Sequence, residues 1–131
     1  MITHISSSLF HSPLYQKAMD ILMLTRSISA YLHQDLSNLK SDNSENDFIY
    51  FSGDIVQQSV SLAPEIAKAE EARYSEKKHK HIASVKRLTY LLNKNIKRLE
   101  KCSSNGKDYL PLLRSELKKF KQLQRTWHLT L

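Results

Sequence analysis

The stretch Asp54-Ile-Val-Gln-Gln-Ser-Val-Ser-Leu-Ala-Pro-Glu-Ile-Ala-Lys-Ala-Glu70 decides the fold. Its apolar residues Ile55, Leu62, Ile66 and Ala69 recur at three-, four- and seven-residue intervals, the period that lines up one stripe of an α-helix. Ser59 falls on the same stripe, with Ala63 and Ala67 at its edge, so small side chains let a neighbouring helix approach closely. Pro64 sits inside the pattern, where it lacks a backbone N–H and crowds the carbonyl four residues back. A proline in a helix interior costs roughly 3 kcal/mol. Packing on several sides must hold such a segment, which predicts a kinked central helix of a bundle.

The rest of the chain offers similar material. At 131 residues it has the length of one domain and can bury a core without disulfides or metal. Two glycines and three prolines provide few sharp turns, so the elements are few and long. Residues 1–11 show no period and read as a flexible N-terminal arm; residues 12–131 read as one four-helix-bundle domain. Ser12-Pro13 is a helix start, with serine as cap and proline in the first turn. Leu14, Ala18, Ile21, Thr25, Ile28, Leu32, Leu36 and Leu39 continue it as a stripe. This first helix, about 27 residues, is expected to span roughly 40 Å and to end in a polar turn after Lys40. Ser44 and Asp47 resemble a capping box before Phe48 and Ile49, where the second helix begins. Gly53 within that helix marks a close contact or a local bend.

A third helix opens at Tyr74-Ser75, with Ile82, Val85, Leu88, Thr89, Leu92, Ile96 and Leu99 facing inward, and stops at Cys102-Ser-Ser-Asn-Gly106. Asp108 is expected to cap the fourth helix, whose seam is Leu110, Leu113, Leu117, Phe120, Gln124, Trp127 and Leu131. Short links between helices of comparable length place neighbours antiparallel. The expected fold is all-α, an antiparallel up-down-up-down four-helix bundle.

Charge is divided unevenly along this fold. Residues 1–73 carry five basic and nine acidic side chains, a net −4; residues 74–131 carry fifteen and four, a net +11. Lys86, Arg87, Lys94, Lys97, Arg98 and Lys101 lie on the outer side of the third helix, with Tyr90 among them. Arg114, Lys118, Lys121 and Arg125 recur at spacings of four, three and four, a narrow ridge on the fourth. Lys77, Lys78 and Lys80, interleaved with His79 and His81, form the densest basic patch. Such cations are either a solvated face or a footprint for a polyanion, whose phosphates they neutralise with release of counterions. Solvated faces mix signs, and acids are scarce here, which favours nucleic acid. Few aromatics accompany the cations, so binding is expected to follow the backbone with weak sequence preference.

Catalysis and metal binding find little support. His79 and His81 are two apart and point to different helix faces, and lysines surround them, so no metal site is expected. Glu70 and Glu71 are adjacent and diverge; Cys102 reads as lying in a polar linker with no helical histidine beside it. No glycine loop is present to cradle a phosphate. A lone cysteine fits a reducing compartment, and no apolar run or charged-then-apolar leader suggests a membrane or export. The expectation is a cytoplasmic, non-catalytic protein without cofactor or membrane association.

Three stretches carry a family resemblance. Leu14-Tyr-Gln-Lys-Ala18 resembles the hydrophobic-aromatic-Gln-Lys-Ala opening of the small four-helix-bundle proteins encoded in ribosomal-RNA intervening sequences. Ser61-Leu-Ala-Pro-Glu-Ile-Ala67 is similar to that family's Ser-Ile-x-x-Asn-Ile-Ala segment, and Ile82-Ala-Ser-Val-Lys-Arg-Leu88 to its third-helix run, with shorter spacing. The wider family includes the accessory variability determinant of diversity-generating retroelements. Resemblance to that branch implies a homopentameric barrel of bundles, a basic surface for RNA, DNA or an RNA–DNA hybrid, and a partner reverse transcriptase. The chain departs from the family pattern at Glu65, Lys68, Ala69 and Arg87. A competing expectation is an oligomeric interaction scaffold whose basic face docks an acidic partner protein.

Overall fold

The computed structural model describes residues 12–36, 48–102 and 105–131. They form four α-helices: α1, Pro13–Leu36; α2, Phe48–Glu71; α3, Ser75–Leu99; and α4, Leu110–Thr130. A short 3-10 helix, Asn105–Tyr109, leads into α4. The main packing partners run in a ring, α1 on α2, α2 on α3, α3 on α4 and α4 back on α1. The architecture is an all-α, antiparallel up-down-up-down four-helix bundle.

Residues 72–74 join α2 to α3, and so short a link leaves the two helices no arrangement but antiparallel. Three contacts step in opposite directions along them: Glu65 with His81, Gln58 with Asn95, and Phe51 with Arg98. The stripes read from the periodicity are buried where they are described, except that Leu88 and Leu131 are half-buried against the core. Ile55, Leu62, Ile66 and Ala69 of α2 are fully enclosed, with Leu14, Ala18, Ile21 and Leu32 of α1. Val85, Leu92, Ile96 and Leu99 of α3 and Leu110, Leu113, Leu117 and Phe120 of α4 complete the core. Pro64 lies on the exposed side of α2, and the helix continues past it because Leu62, Ala63, Ile66 and Ala69 anchor both flanking turns.

Buried hydroxyl side chains are accommodated locally. The hydroxyls of Thr25, Ser52, Ser59 and Thr89 donate to the carbonyls of Leu22, Ile49, Ile55 and Val85 at 2.7–2.9 Å. Each satisfies its hydrogen bond within its own helix, so burial leaves no unpaired hydroxyl.

Several local expectations are corrected. A Cβ placed on Gly53 would meet nothing within 4 Å, so no close contact explains that glycine. Cys102 is a core residue, 1% exposed, because the chain after α3 tightens instead of leaving the bundle. There Lys101 and Cys102 donate backbone bonds three residues back, to Arg98 and Leu99. Asp108 does not cap α4: it belongs to the 3-10 helix, and Tyr109, in helical conformation, precedes Leu110 with no side-chain cap. Pro111 falls in the first turn of α4, where its missing N–H is harmless. The arm over residues 1–11, the end of the first stripe at Leu39, the polar turn after Lys40, the Ser44–Asp47 capping box and Ser103-Ser104 lie outside the described residues.

Candidate functional site

The helices that carry the positive charge are adjacent, and each turns one flank toward the other. On α3 the flank reads Lys86, Tyr90, Asn93 and Lys97, at spacings of four, three and four. On α4 it reads Arg114, Lys118, Lys121, Arg125 and His128. Between them runs a groove of about 450 Å³, lined by Lys86, Tyr90 and Asn93 on one side and Lys121, Gln124, Arg125 and His128 on the other. The opposite end of this antiparallel pair is fixed by the Arg114 guanidinium, which donates to the Glu100 carboxylate just beyond α3. That register puts Lys97 level with Lys118 and continues the cationic rows beyond the groove.

Gln124 is the unusual member of the groove. It occupies a seam position of α4 and is only 7% exposed, yet among the described residues its amide nitrogen has no hydrogen-bond partner. An unpaired buried donor costs about 1–3 kcal/mol. The other buried amide contrasts with it. Asn95 of α3 donates to the Gln58 carbonyl oxygen at 3.3 Å and accepts from Arg98 at 3.3 Å.

The thirteen cations named from the sequence fall into four groups. Lys86, Lys121 and Arg125 line the groove, and Lys97 and Lys118 extend its rows. Arg87 and Lys94, seven residues apart, share the outermost face of α3. Arg98 turns toward α2, its guanidinium 5.1 Å from the Phe51 ring centroid, so it is engaged in packing. At the two ends stand Lys101 with the neutralised Arg114, and Lys77, Lys78 and Lys80, which run past the last turn of α4. Among the described residues, Arg114 is the one member of this set with a carboxylate partner.

Two carboxylates of α2 hold it to other helices. His81 of the basic patch faces α2, its Nδ1 2.5 Å from a Glu65 carboxylate oxygen, and so leaves the cationic surface. At the same end of the bundle the Trp127 indole donates to Glu70 at 3.3 Å. Burial raises the pKa of Glu70 above its ordinary 4.5; hydrogen bonds from Ser12 and Trp127 oppose the rise, and neighbouring Glu71 adds to it. Trp127 is thereby a core residue with a satisfied N–H, 9% exposed. Among the described residues no group of three His, Cys, Asp or Glu side chains is placed to hold a metal ion.

Periodicity could not reveal Asn93 and His128 as groove residues, because their role depends on which two helices become neighbours. Gln124 did leave a trace: a carboxamide where the α4 seam otherwise carries leucine, phenylalanine or tryptophan. No described helix is long and apolar enough to cross a membrane. The chain matches no protein-family model, no curated protein and no solved structure, so a functional assignment rests on the residues themselves.

Proposed function

We propose that the chain is a non-catalytic nucleic-acid-binding protein whose α3–α4 face lies along the phosphates of RNA, DNA or an RNA–DNA hybrid. The observation that carries this reading is the charge of that face: two rows of cations flank one groove, and among the described residues carboxylates pair with almost none of them. Ordinary helix stability does not account for the arrangement. Lys77, Lys78 and Lys80 crowd the N-terminal end of α3, where the helix dipole disfavours positive charge, and Glu76 is the one acid in that first turn. A polyanion supplies the missing negative charge.

The narrower reading is a helper of a reverse transcriptase in a diversity-generating retroelement, working as a homo-oligomer with a pentamer favoured. It is supported by the three resembling stretches in their order along the chain. An apolar strip on the α1–α4 flank, with Met23, Tyr31, Tyr109 and Leu112 all more than 40% exposed, offers a surface for assembly away from the groove. Neither role requires a cofactor.

Fluorescence anisotropy with generic RNA and DNA across a salt series tests the binding. Affinity is expected to fall steeply with salt, with a log–log slope of about −0.7 to −0.9 per phosphate contacted. Charge reversal at Lys118, Lys121 and Arg125 is expected to abolish binding while circular dichroism keeps its helical signal. Binding by that triple variant equal to the parent's would remove the assignment. Tight binding to acidic proteins with no affinity for either nucleic acid would instead establish the scaffold. Light scattering at micromolar concentration that gave the 15.2 kDa monomer mass would eliminate the pentamer.

A further inference from the structure

Resting on that reading and deepening it, we infer that the α3–α4 groove seats one nucleotide of a single-stranded nucleic acid. Its phosphate lies on Lys86, Lys121 and Arg125, and its base edge meets the Gln124 carboxamide. The inference starts from chemistry that a backbone-tracking surface does not need. Phosphates are met by cations at the surface, and the groove already has three at its walls, Lys86 and Arg125 exposed and Lys121 half-buried. A neutral carboxamide held 93% buried and without a partner adds nothing to that task. Its amide nitrogen is sealed from water in the free protein, so the side chain has to turn into the groove it lines to present its donor and acceptor side by side, the pattern with which glutamine and asparagine read a base edge.

The dimensions agree with this occupant. A groove of about 450 Å³ falls within the range of small-molecule sites and suits one nucleotide unit. The exposed ring of Tyr90, 63% accessible, and the side chain of Leu129 give it apolar surface against which a base can lie. A metal ion is ruled out as occupant by the three cations. A base-paired duplex keeps its bases stacked between two backbones, so it cannot insert one between α3 and α4. An unpaired strand can splay a base outward at low cost.

The test compares the parent with Gln124→Leu and Tyr90→Ala by fluorescence anisotropy. The probes are mixed-sequence single-stranded RNA and DNA of about 12 nucleotides, together with a DNA duplex of similar length. Both substitutions preserve charge, and Tyr90 is exposed, so Tyr90→Ala retains the fold even if the core substitution perturbs it. Each variant is expected to bind the single strand about tenfold more weakly, in the scale of one lost stacking or edge contact, with an unchanged salt slope and unchanged duplex affinity. A loss confined to RNA or to DNA supports the seat and identifies the sugar it accepts. Single-strand affinities within twofold of the parent's for both variants overturn the inference while leaving the charged face as proposed. A parent that binds only duplex does the same. A parent that binds neither overturns the functional reading itself.

Discussion

Replacing Gln124 by leucine is expected to stabilise the free protein, an unusual direction for a core substitution. The parent holds an amide nitrogen out of water with nothing to receive its hydrogen. Removing that group recovers about 1–3 kcal/mol. Leucine also extends the seam of Leu110, Leu113, Leu117 and Phe120 with apolar surface, while its branch point costs up to about 1 kcal/mol where the walls must adjust. The net gain is therefore about 1–2 kcal/mol. A chain of 131 residues unfolds with an entropy near 2.1 cal/mol/K per residue, so each kcal/mol moves the midpoint by about 4 °C. Thermal unfolding followed by circular dichroism is expected to show a Tm about 4–7 °C higher for the variant, with the same helical signal at 20 °C. Urea titration is expected to give an unchanged m-value. A Tm several degrees lower would refute the reasoning, because it would mean that the native amide is satisfied and contributes stability. The same substitution is expected to weaken single-strand binding, so stability and affinity move in opposite directions.

Three further predictions follow from other sites. Glu70→Gln is expected to leave stability at pH 4 nearly equal to the parent's and to exceed it at pH 7. The buried carboxyl keeps its proton to a higher pH than the unfolded chain, so the parent loses stability as pH rises above 4.5; urea titrations at the two pH values yielding the same difference would contradict this. Gly53→Ala, at an exposed position inside α2 with open space around its Cβ, is expected to raise stability by about 0.5–1 kcal/mol, read from the urea midpoint. Arg114→Gln is expected to leave nucleic-acid affinity within twofold of the parent, since Glu100 already neutralises it, whereas Lys121→Gln lowers both affinity and salt slope in the same anisotropy assay.

Hydrophobic periodicity determined the bundle. Ile55, Leu62, Ile66 and Ala69, like Leu113, Leu117 and Phe120, could be placed in a core from spacing alone, because an α-helix converts a 3.6-residue period directly into a buried stripe. The charge division between the halves was equally legible, being a property of composition. Tertiary structure decided what no spacing encodes: which helix flanks become neighbours. Packing α3 against α4 turned Lys86, Lys121 and Arg125, up to 39 residues apart in the chain, into the walls of one groove, and it sent Arg98 to Phe51 and His81 to Glu65 instead. It also drew Cys102 into the core and left Gln124 without a partner. Local sequence sets which face of each helix is buried; the shared packing of four helices sets what each exposed edge meets.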